Sequence, residues 1–481
     1  MNIKALFGSA VVLAVVAYGA TTSYLVHYDH ETAPKLSSLS PTNNNPKAKA
    51  AFDTIAEARC DYCHTKDAKL PFYASLPVAK QLMQRDIKTR VPAFPDTTGF
   101  KCLGKRPKRV DEESLARMQF VVEHDMMPPK MYLTMALHAA LGEKGKKAML
   151  EWIKESRIKN YDAAGLVAPQ FQSEPIQPIP AADFSDKEKI ALGERLFFDK
   201  QLSGDGTLNC ASCHGLNKGG VDNLVTSTGI KGQKGPINAP TVYNSVYNKL
   251  QFWDGRAKDL QEQAAGPVMN PLEMGSHDWA EVSKRVMAQP GYKEAFTKVY
   301  GGQANQERIT NAIAVYEATL VTPDSRFDQY LKGHENAINE QEKRGYALFK
   351  DLGCASCHVG KAMGGQSFEV MGLEGDYFGK RVTQVMPIKA VSLKRIMPLI
   401  CIVSMCQHYG ILNDGTLFPR WQRKTLEDAV REMVRYQTQK GQIPEKDVQD
   451  IVAFLKTQTG SYRGHNLATI TEEDAGILPS K

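Results

Sequence analysis

The chain has 481 residues, 42% hydrophobic and 23% charged, which excludes a disordered chain and leaves room for two or three domains. Its formal net charge of +7 would fit an anionic partner, but the charge is unevenly spread. Windows 90–109 and 382–423 carry +5 and +4, leaving −2 for the rest, so the basic charge is no sign of nucleic acid.

The N-terminus reads MNIKALFGSAVVLAVVAYGATTSYLVHYDHE, with 22 uncharged residues from Ala5 to Val26. At about 1.5 Å per residue such a helix spans the ~30 Å apolar core of a bilayer. Lys4 precedes the run and Asp29 and Glu31 follow it, so the body is expected outside the cytoplasm. A cleaved signal peptide is the competing reading. The run is longer than the usual signal-peptide core, and its small-x-small triplet, Ala17-Tyr18-Gly19, lies inside it. Residues 1–31 are therefore read as a single membrane anchor, with the rest outside the cytoplasm. A polar tether (32–49) follows, then an N-terminal domain (50–167) and a proline-rich linker (168–186). The body divides into lobes 187–335 and 336–470, with a tail at 471–481.

Three copies of C-x-x-C-H follow along the chain: Cys60/Cys63/His64, Cys210/Cys213/His214 and Cys354/Cys357/His358. This is the attachment motif of c-type haem, with two thiols for the vinyl groups and an adjacent histidine as axial ligand. Zinc sites or redox disulfides would leave that histidine unexplained three times over. Three covalent haems are expected. The second and third copies lie in a longer repeat sharing Gly-x-x-Leu-Phe, in ALGERLFFDKQLSGDGTLNCASCH and EKRGYALFKDLGCASCH. This predicts two related lobes. Apolar residues at helical spacing in ERITNAIAVYEATL and EKDVQDIVAFLKTQ, with sparse strand signals, predict a mainly α fold. Ser185 and Glu188 are read as a capping box before KIALGERLFF.

The distal side of each haem decides between electron transfer and chemistry. EHDMMPPKM offers Met127 to the first haem, with Met126, Met131 and Met118 as alternatives and core packing as the plain reading. Met433, on an amphipathic helix 75 residues after His358, is the candidate for the third.

From Lys234 to Met274 the chain reads KGPINAPTVYNSVYNKLQFWDGRAKDLQEQAAGPVMNPLEM. This resembles the bacterial di-haem cytochrome c peroxidases, and the extra N-terminal haem and anchor resemble their membrane-bound tri-haem branch, the quinol peroxidases. The resemblance makes the Cys210/Cys213/His214 haem the peroxide-reducing one. It matches Glu273 and Gln263 to distal acid–base and polar residues and Trp253 to an aromatic between the two haems of the body. It matches Met433 to the distal ligand of the electron-transfer haem, and Asn238 to part of a calcium site between the lobes. Many members carry a distal histidine in the loop after the peroxidatic haem; the matching position here is Ile230, which cannot bind iron. That haem is expected to be open without reductive activation.

Cleaving the O–O bond requires a base that moves a proton to the leaving oxygen, for which Glu273 is the candidate. The implied reaction reduces hydrogen peroxide to water with electrons from membrane quinol or a c-type cytochrome. A non-enzymatic tri-haem electron-transfer cytochrome is the rival, together with a di-haem oxidase of an organic or protein substrate. The oligomeric state is not legible.

VSMCQHYGILNDGTLFPRW, Val403–Trp421, groups Met405, Cys406 and His408 like a ligand cluster. Family members carry VP-x-LRN and TAPYFHDG here, before the KTLEDAV segment that this chain retains. Back-translated into another frame, 402–413 can read Arg-Phe-Asn-Val-Pro-Thr-Leu-Arg-Asn-Ile-Glu, and 414–422 can read Thr-Ala-Pro-Tyr-Phe-His-Asp-Gly. Window 90–109 behaves likewise. Both are read as compensated frameshifts, and Met405, Cys406 and His408 are excluded from the sites; genuine divergent loops are the competing reading. Without Cys102, Cys401 and Cys406, six cysteines remain, all in the three motifs. Sequencing the DNA tests this: the actual codons of 402–422, read in the shifted frame, are expected to spell those two segments. Synonymous codons that do not spell them contradict the reading.

Overall fold

A computed structural model of the chain describes residues 3–38, 40–65, 68–77, 80, 81, 83, 84, 110–134, 136–161, 165–224, 226–369, 372–375, 397, 398 and 425–475. Window 90–109 lies outside the described residues, as does 382–423 except for Met397–Pro398. The chain forms two compact units, Met1–Tyr161 and Asp162–Lys481.

The first unit contains helices α1 (Ile3–Thr32), α2 (Pro46–Glu57), α3 (Glu112–Glu123) and α4 (Gly142–Tyr161). Within α1, Ser9–Thr32 is long and apolar enough to cross a membrane, and only 6% of its apolar window is buried, unlike the core helix of a soluble domain. Helix α2 starts where Asn45 accepts from the amides of Lys47 and Ala48 and Pro46 occupies the first helical position. The core joins Phe52 and Ile55 of α2 to Leu115 of α3 and Met149, Trp152 and Ile153 of α4, with Cys60 and Met118 at its edge. Arg157 and Glu112, both buried, pair at 2.6 Å and tie α4 to α3.

The second unit holds α5 (Lys187–Phe197), α6 (Leu260–Met269), α7 (Gln306–Glu317), α8 (Glu340–Asp351), α9 (Leu426–Gln437) and α10 (Glu445–Lys456). Two helix crossings organise it, and each is set by the glycine of the sequence repeat. A Cβ on Gly193 in α5 would lie 2.0 Å from the Ala312 carbonyl oxygen of α7. One on Gly345 in α8 would lie 1.9 Å from the Asp450 carbonyl oxygen of α10. The Leu-Phe of each repeat then enters its lobe's core: Leu196 and Phe197 in one, Phe349 with Leu348 beside it in the other. The two lobes thus repeat one design, and the fold is mainly α. The strands among the described residues form two short ribbons, Phe368–Glu369 with Met397–Pro398 and Ser461–Tyr462 with His465–Asn466.

Helix α5 is capped by Asp186, whose carboxylate accepts from the Lys189 amide, one residue beyond the expected Ser185. Ser185 instead donates its amide to Asp183, so its backbone is committed to a preceding turn. The proline-rich segment is fastened along the second unit. Ile176 and Ile179 are buried, the Gly360 amide donates to the Pro175 carbonyl, and the Ile179 amide donates to Asp328.

The crossing glycines give a stability test. Gly345→Ala forces α8 off α10 and is expected to cost about 1–3 kcal/mol, the usual range for overpacking a core. The denaturant midpoint of the haem-loaded protein measures it, and an unchanged midpoint contradicts the role given to Gly345.

Candidate haem centres and active site

Each C-x-x-C-H motif forms one tight turn, with the histidine amide donating to the carbonyl of the first cysteine at 3.0, 3.0 and 2.9 Å for His64, His214 and His358. That turn brings both thiols and the imidazole to one side. The six described cysteines, Cys60, Cys63, Cys210, Cys213, Cys354 and Cys357, are half-buried and form no disulfide with one another. Burial pushes the Cys60 and Cys354 thiols up to about 12 and Cys213 to about 11, so they are not the exposed thiolates of a redox pair.

The third turn departs from the second in one respect. Cys213 closes a helical turn, Cys210–Cys213, whereas Cys357 falls outside the tighter turn Cys354–Ser356 and caps it at φ −122° and ψ −39°. The two motifs share the sequence CASCH, yet their turns differ at Cys357. The difference lies in what precedes each motif. Asn209 caps the second turn through a reciprocal pair of hydrogen bonds with Ser212, while Gly353, at φ +79°, precedes the third and offers no side chain. Ser356 bonds back to the Gly353 carbonyl instead, and its hydroxyl lies 3.6 Å from Cys357 Sγ. The Cys357 amide still reaches the Cys354 carbonyl at 3.2 Å, which keeps the thiol pair together.

The rings are held for metal binding. His214 Nδ1 lies 3.2 Å from the Gly220 carbonyl, and His358 Nδ1 lies 3.2 Å from the Met363 carbonyl. A carbonyl only accepts, so Nδ1 carries the proton and Nε2 keeps the lone pair that binds iron. Burial lowers the pKa of all three histidines, that of His358 to about 4, which keeps the rings neutral. Thiol pairs, neutral imidazoles and oriented tautomers fit covalent haem.

Beside the second turn stands Glu273. Its NPLEMG loop folds back on the end of α6: the amides of Glu273 and Gly275 donate to the Asn270 carbonyl, and those of Met274 and Ser276 to Pro267 and Val268. The Asn270 side-chain amide donates to Glu273 Oε1 at 2.7 Å. Burial raises the Glu273 pKa, against the Arg256 charge and the Asn270 hydrogen bond, which favour the carboxylate. Its negative charge is felt by Cys213, which places it near the haem-attachment turn.

Ile230 meets this carboxylate's own loop. The Ile230 amide donates to the Glu273 carbonyl at 2.8 Å. A Cβ on Gly275 would lie 2.2 Å from Ile230 Cδ1, and one on Gly229 2.0 Å from the Leu272 carbonyl oxygen. Two glycines thus allow the loops to close around the buried Ile230.

The remaining expected residues lie in separate surroundings. Trp253 donates its indole N–H to the Asn238 carbonyl at 3.0 Å and packs against the core of the 336–470 lobe, at whose edge Cys354 and Met433 also lie. Gln263 is half-buried on α6. Asn238 is buried, and its side-chain oxygen has no hydrogen-bond partner among the described residues. No group of three or more His, Cys, Asp or Glu that could hold a metal occurs among the described residues. Met118, Met126 and Met127 are half-buried, whereas Met131 is exposed.

Two family profiles match the chain: "Haem-binding domain" over residues 17–155 and "Di-haem cytochrome c peroxidase" over 187–336. The chain is 40% identical to cytochrome c peroxidase Ccp of Escherichia coli K12, over 94% of its own length and 97% of that protein. The chain belongs to the di-haem cytochrome c peroxidase family. It is 46% identical to the cytochrome c551 peroxidase of Nitrosomonas europaea over 62% of the chain and 87% of that protein. With that of Pseudomonas aeruginosa it shares 39% identity over 57% of the chain and 79% of that protein. It is a peroxidase and an oxidoreductase, not the purely electron-transferring cytochrome that was the rival reading.

Sequence reasoning passed over three residues of this peroxidase's centres. Asn270 and Gly275 flank Glu273 within the quoted motif, yet their roles require the folded turn. Glu317 ends α7, is buried beside Cys210, and burial pushes its carboxyl up to about 8. It carried no signal, because it occupies an unremarkable position in an amphipathic pattern.

Proposed function

We propose a periplasmic tri-haem peroxidase, anchored in the inner membrane by α1, that reduces hydrogen peroxide with electrons from membrane quinol. The observation that carries the peroxide chemistry is the apposition of Ile230 and Glu273 beside the Cys210–His214 turn. The haem attached there would supply a redox centre able to hold peroxide and pass electrons to it. The chain supplies the rest.

Ile230 offers no ligand, so the distal position needs no prior displacement. Glu273 acts as the proton carrier. As a carboxylate it takes the proton from the incoming peroxide and returns it to the leaving oxygen as the O–O bond breaks. Asn270 fixes the direction of Oε1, and Gln263 offers a second polar contact from α6. His214 would hold this iron, and His358 with Met433 the electron-transfer iron, whose haem Cys354 and Cys357 would attach. His64 with Met127 would hold the iron that receives electrons from outside. Trp253 lies on the route between the two body centres, since its ring packs against one lobe while its backbone belongs to the other. The buried, unpartnered oxygen of Asn238 supports a calcium ion near this junction, held with oxygens from elsewhere.

The retained anchor is supported by Asp29, which is buried against the first unit and bonded by Arg59 and His138. Removal of α1 would leave Arg59, with no exposed surface, short of a partner. The quinol donor is supported by that anchor and by the distinct N-terminal unit; a soluble c-type cytochrome is the alternative donor.

The base must be ionised, so the rate should fall as pH drops through the raised Glu273 pKa. Glu273→Gln is expected to lower the turnover of peroxide by about 10²–10⁴-fold, the usual contribution of a positioned acid–base group. Asn270→Ala removes a hydrogen bond that favours the carboxylate, so the acid limb of kcat/KM for peroxide should move to higher pH. Equal rates for Glu273→Gln and wild type would remove Glu273 from the mechanism.

A further inference from the structure

The end of α1 is built into the first unit. Thr21, Thr22, Leu25, Tyr28, Asp29 and Thr32 form one shielded stripe at helical spacing, while Ser9–Ala20 is exposed all round. Asp29 is 3% exposed. Its Oδ1 accepts from Arg59 Nη1 at 3.1 Å and from the Tyr62 hydroxyl, and its Oδ2 lies 2.8 Å from His138 Nε2. Arg59 also donates to both oxygens of Asp61 at 3.0 Å. One guanidinium therefore serves two buried carboxylates, leaving a net charge of −1 that a proton on His138 would neutralise. A carboxylate only accepts, so neutral His138 carries its proton on Nε2 and presents Nδ1 as the basic nitrogen. The ring is 25% exposed and within reach of small molecules.

Around this cluster two loops grip the helix. Tyr28 donates its hydroxyl to the Leu70 carbonyl at 3.1 Å, the Tyr24 and Phe72 rings meet edge-on at 5.4 Å, and Tyr18 donates to the Thr134 carbonyl at 2.6 Å. The same loops expose Leu70, Phe72 and Leu76 on one side and Met131 and Leu137 on the other. Exposed apolar side chains clasping an apolar helix, with tyrosines among them, have the composition of a membrane interface. The part of α1 before the shielded stripe, Ile3–Ala20, is about 27 Å long at 1.5 Å per residue, close to the thickness of the hydrocarbon core. Tyr132 stands on the second of these loops, and its buried hydroxyl has no hydrogen-bond partner among the described residues.

We propose that this junction is the quinol-oxidising site, with the quinol tail between the two apolar loops and its ring hydroxyls on His138 Nδ1 and the Tyr132 hydroxyl. The inference rests on the reading that the donor is a membrane quinol, and it assigns that reading a place. Both O–H bonds of the quinol break. One proton passes to His138, where Asp29 stabilises the imidazolium, and leaves to solvent before the second follows. The two electrons would pass one at a time to the haem that Cys60 and Cys63, directly after Arg59, would attach. Two electrons and two protons are consumed as hydrogen peroxide becomes two waters, so quinol and peroxide yield quinone and two waters.

The test uses full-length, haem-loaded protein in detergent with decylubiquinol as the probe. Anaerobic haem reduction is followed by stopped flow, each rate divided by that with a soluble small-molecule reductant. Tyr132→Phe, which removes one oxygen, and His138→Gln are each expected to lower this ratio about tenfold, as for the loss of one well-placed hydrogen bond. Exposed Glu143→Gln should leave it unchanged. An azidoquinone should label segments 70–76 or 131–138 and be displaced by excess decylubiquinone. Normal reduction by quinol with unchanged ratios in both variants, or labelling elsewhere, overturns the site while keeping the donor. Wild type that is reduced by a c-type cytochrome but by no quinol overturns the donor and the site together.

Discussion

A neutral imidazole offers its Nε2 lone pair to iron when its proton sits on Nδ1, and in both body lobes a backbone carbonyl a few residues downstream holds that proton. Much of the second unit follows from that need. The loop after each C-x-x-C-H must turn back to present its carbonyl; Gly220, at φ +77°, gives the first loop this freedom. A Cβ there would lie 2.7 Å from Thr241 Oγ1. The turn itself must rest on something rigid, and the glycine-set crossings of α5 with α7 and of α8 with α10 provide it. The two lobes share this scaffold, and on the proposed reading their difference lies in what reaches the distal side.

At the peroxidatic centre that difference is made by two loops in contact. Glu273 is aimed by Asn270 and raised in pKa by burial, while Ile230 closes on the same loop through a backbone bond and a glycine. On the proposed reading, a histidine there would compete for iron with peroxide, whereas an isoleucine would not. In the other lobe Met433 and Cys354 both pack at the edge of the core.

The parts legible in the sequence were those carried by short spacings. The haem turns, the repeated Gly-x-x-Leu-Phe, the apolar N-terminal run and Glu273 in its motif all fall within a few residues. The repeat proved to mark helix crossings, which its spacing alone could not state. Identical pentapeptides did not guarantee identical turns: the residue before each motif, Asn209 or Gly353, decides whether the second cysteine closes the turn, as Cys213 does, or follows it, as Cys357 does. Contacts that join distant segments were hidden. Asp29 meets His138 across more than a hundred residues, Ile230 meets Glu273 across two loops, and the proline-rich stretch that read as a linker runs along the second unit. Asp186 displaced Ser185 as the α5 cap because both residue types suit that position and only the backbone path chooses between them.

The central claim is that the chain leaves the distal side of the Cys210–His214 haem without a protein ligand and puts a base beside it. The most direct measurement is the electron paramagnetic resonance spectrum of the oxidised protein as isolated, before any reductant is added. A high-spin ferric signal from one haem, lost on adding cyanide, is the predicted result. A spectrum with low-spin, bis-histidine ligation at that haem would contradict it.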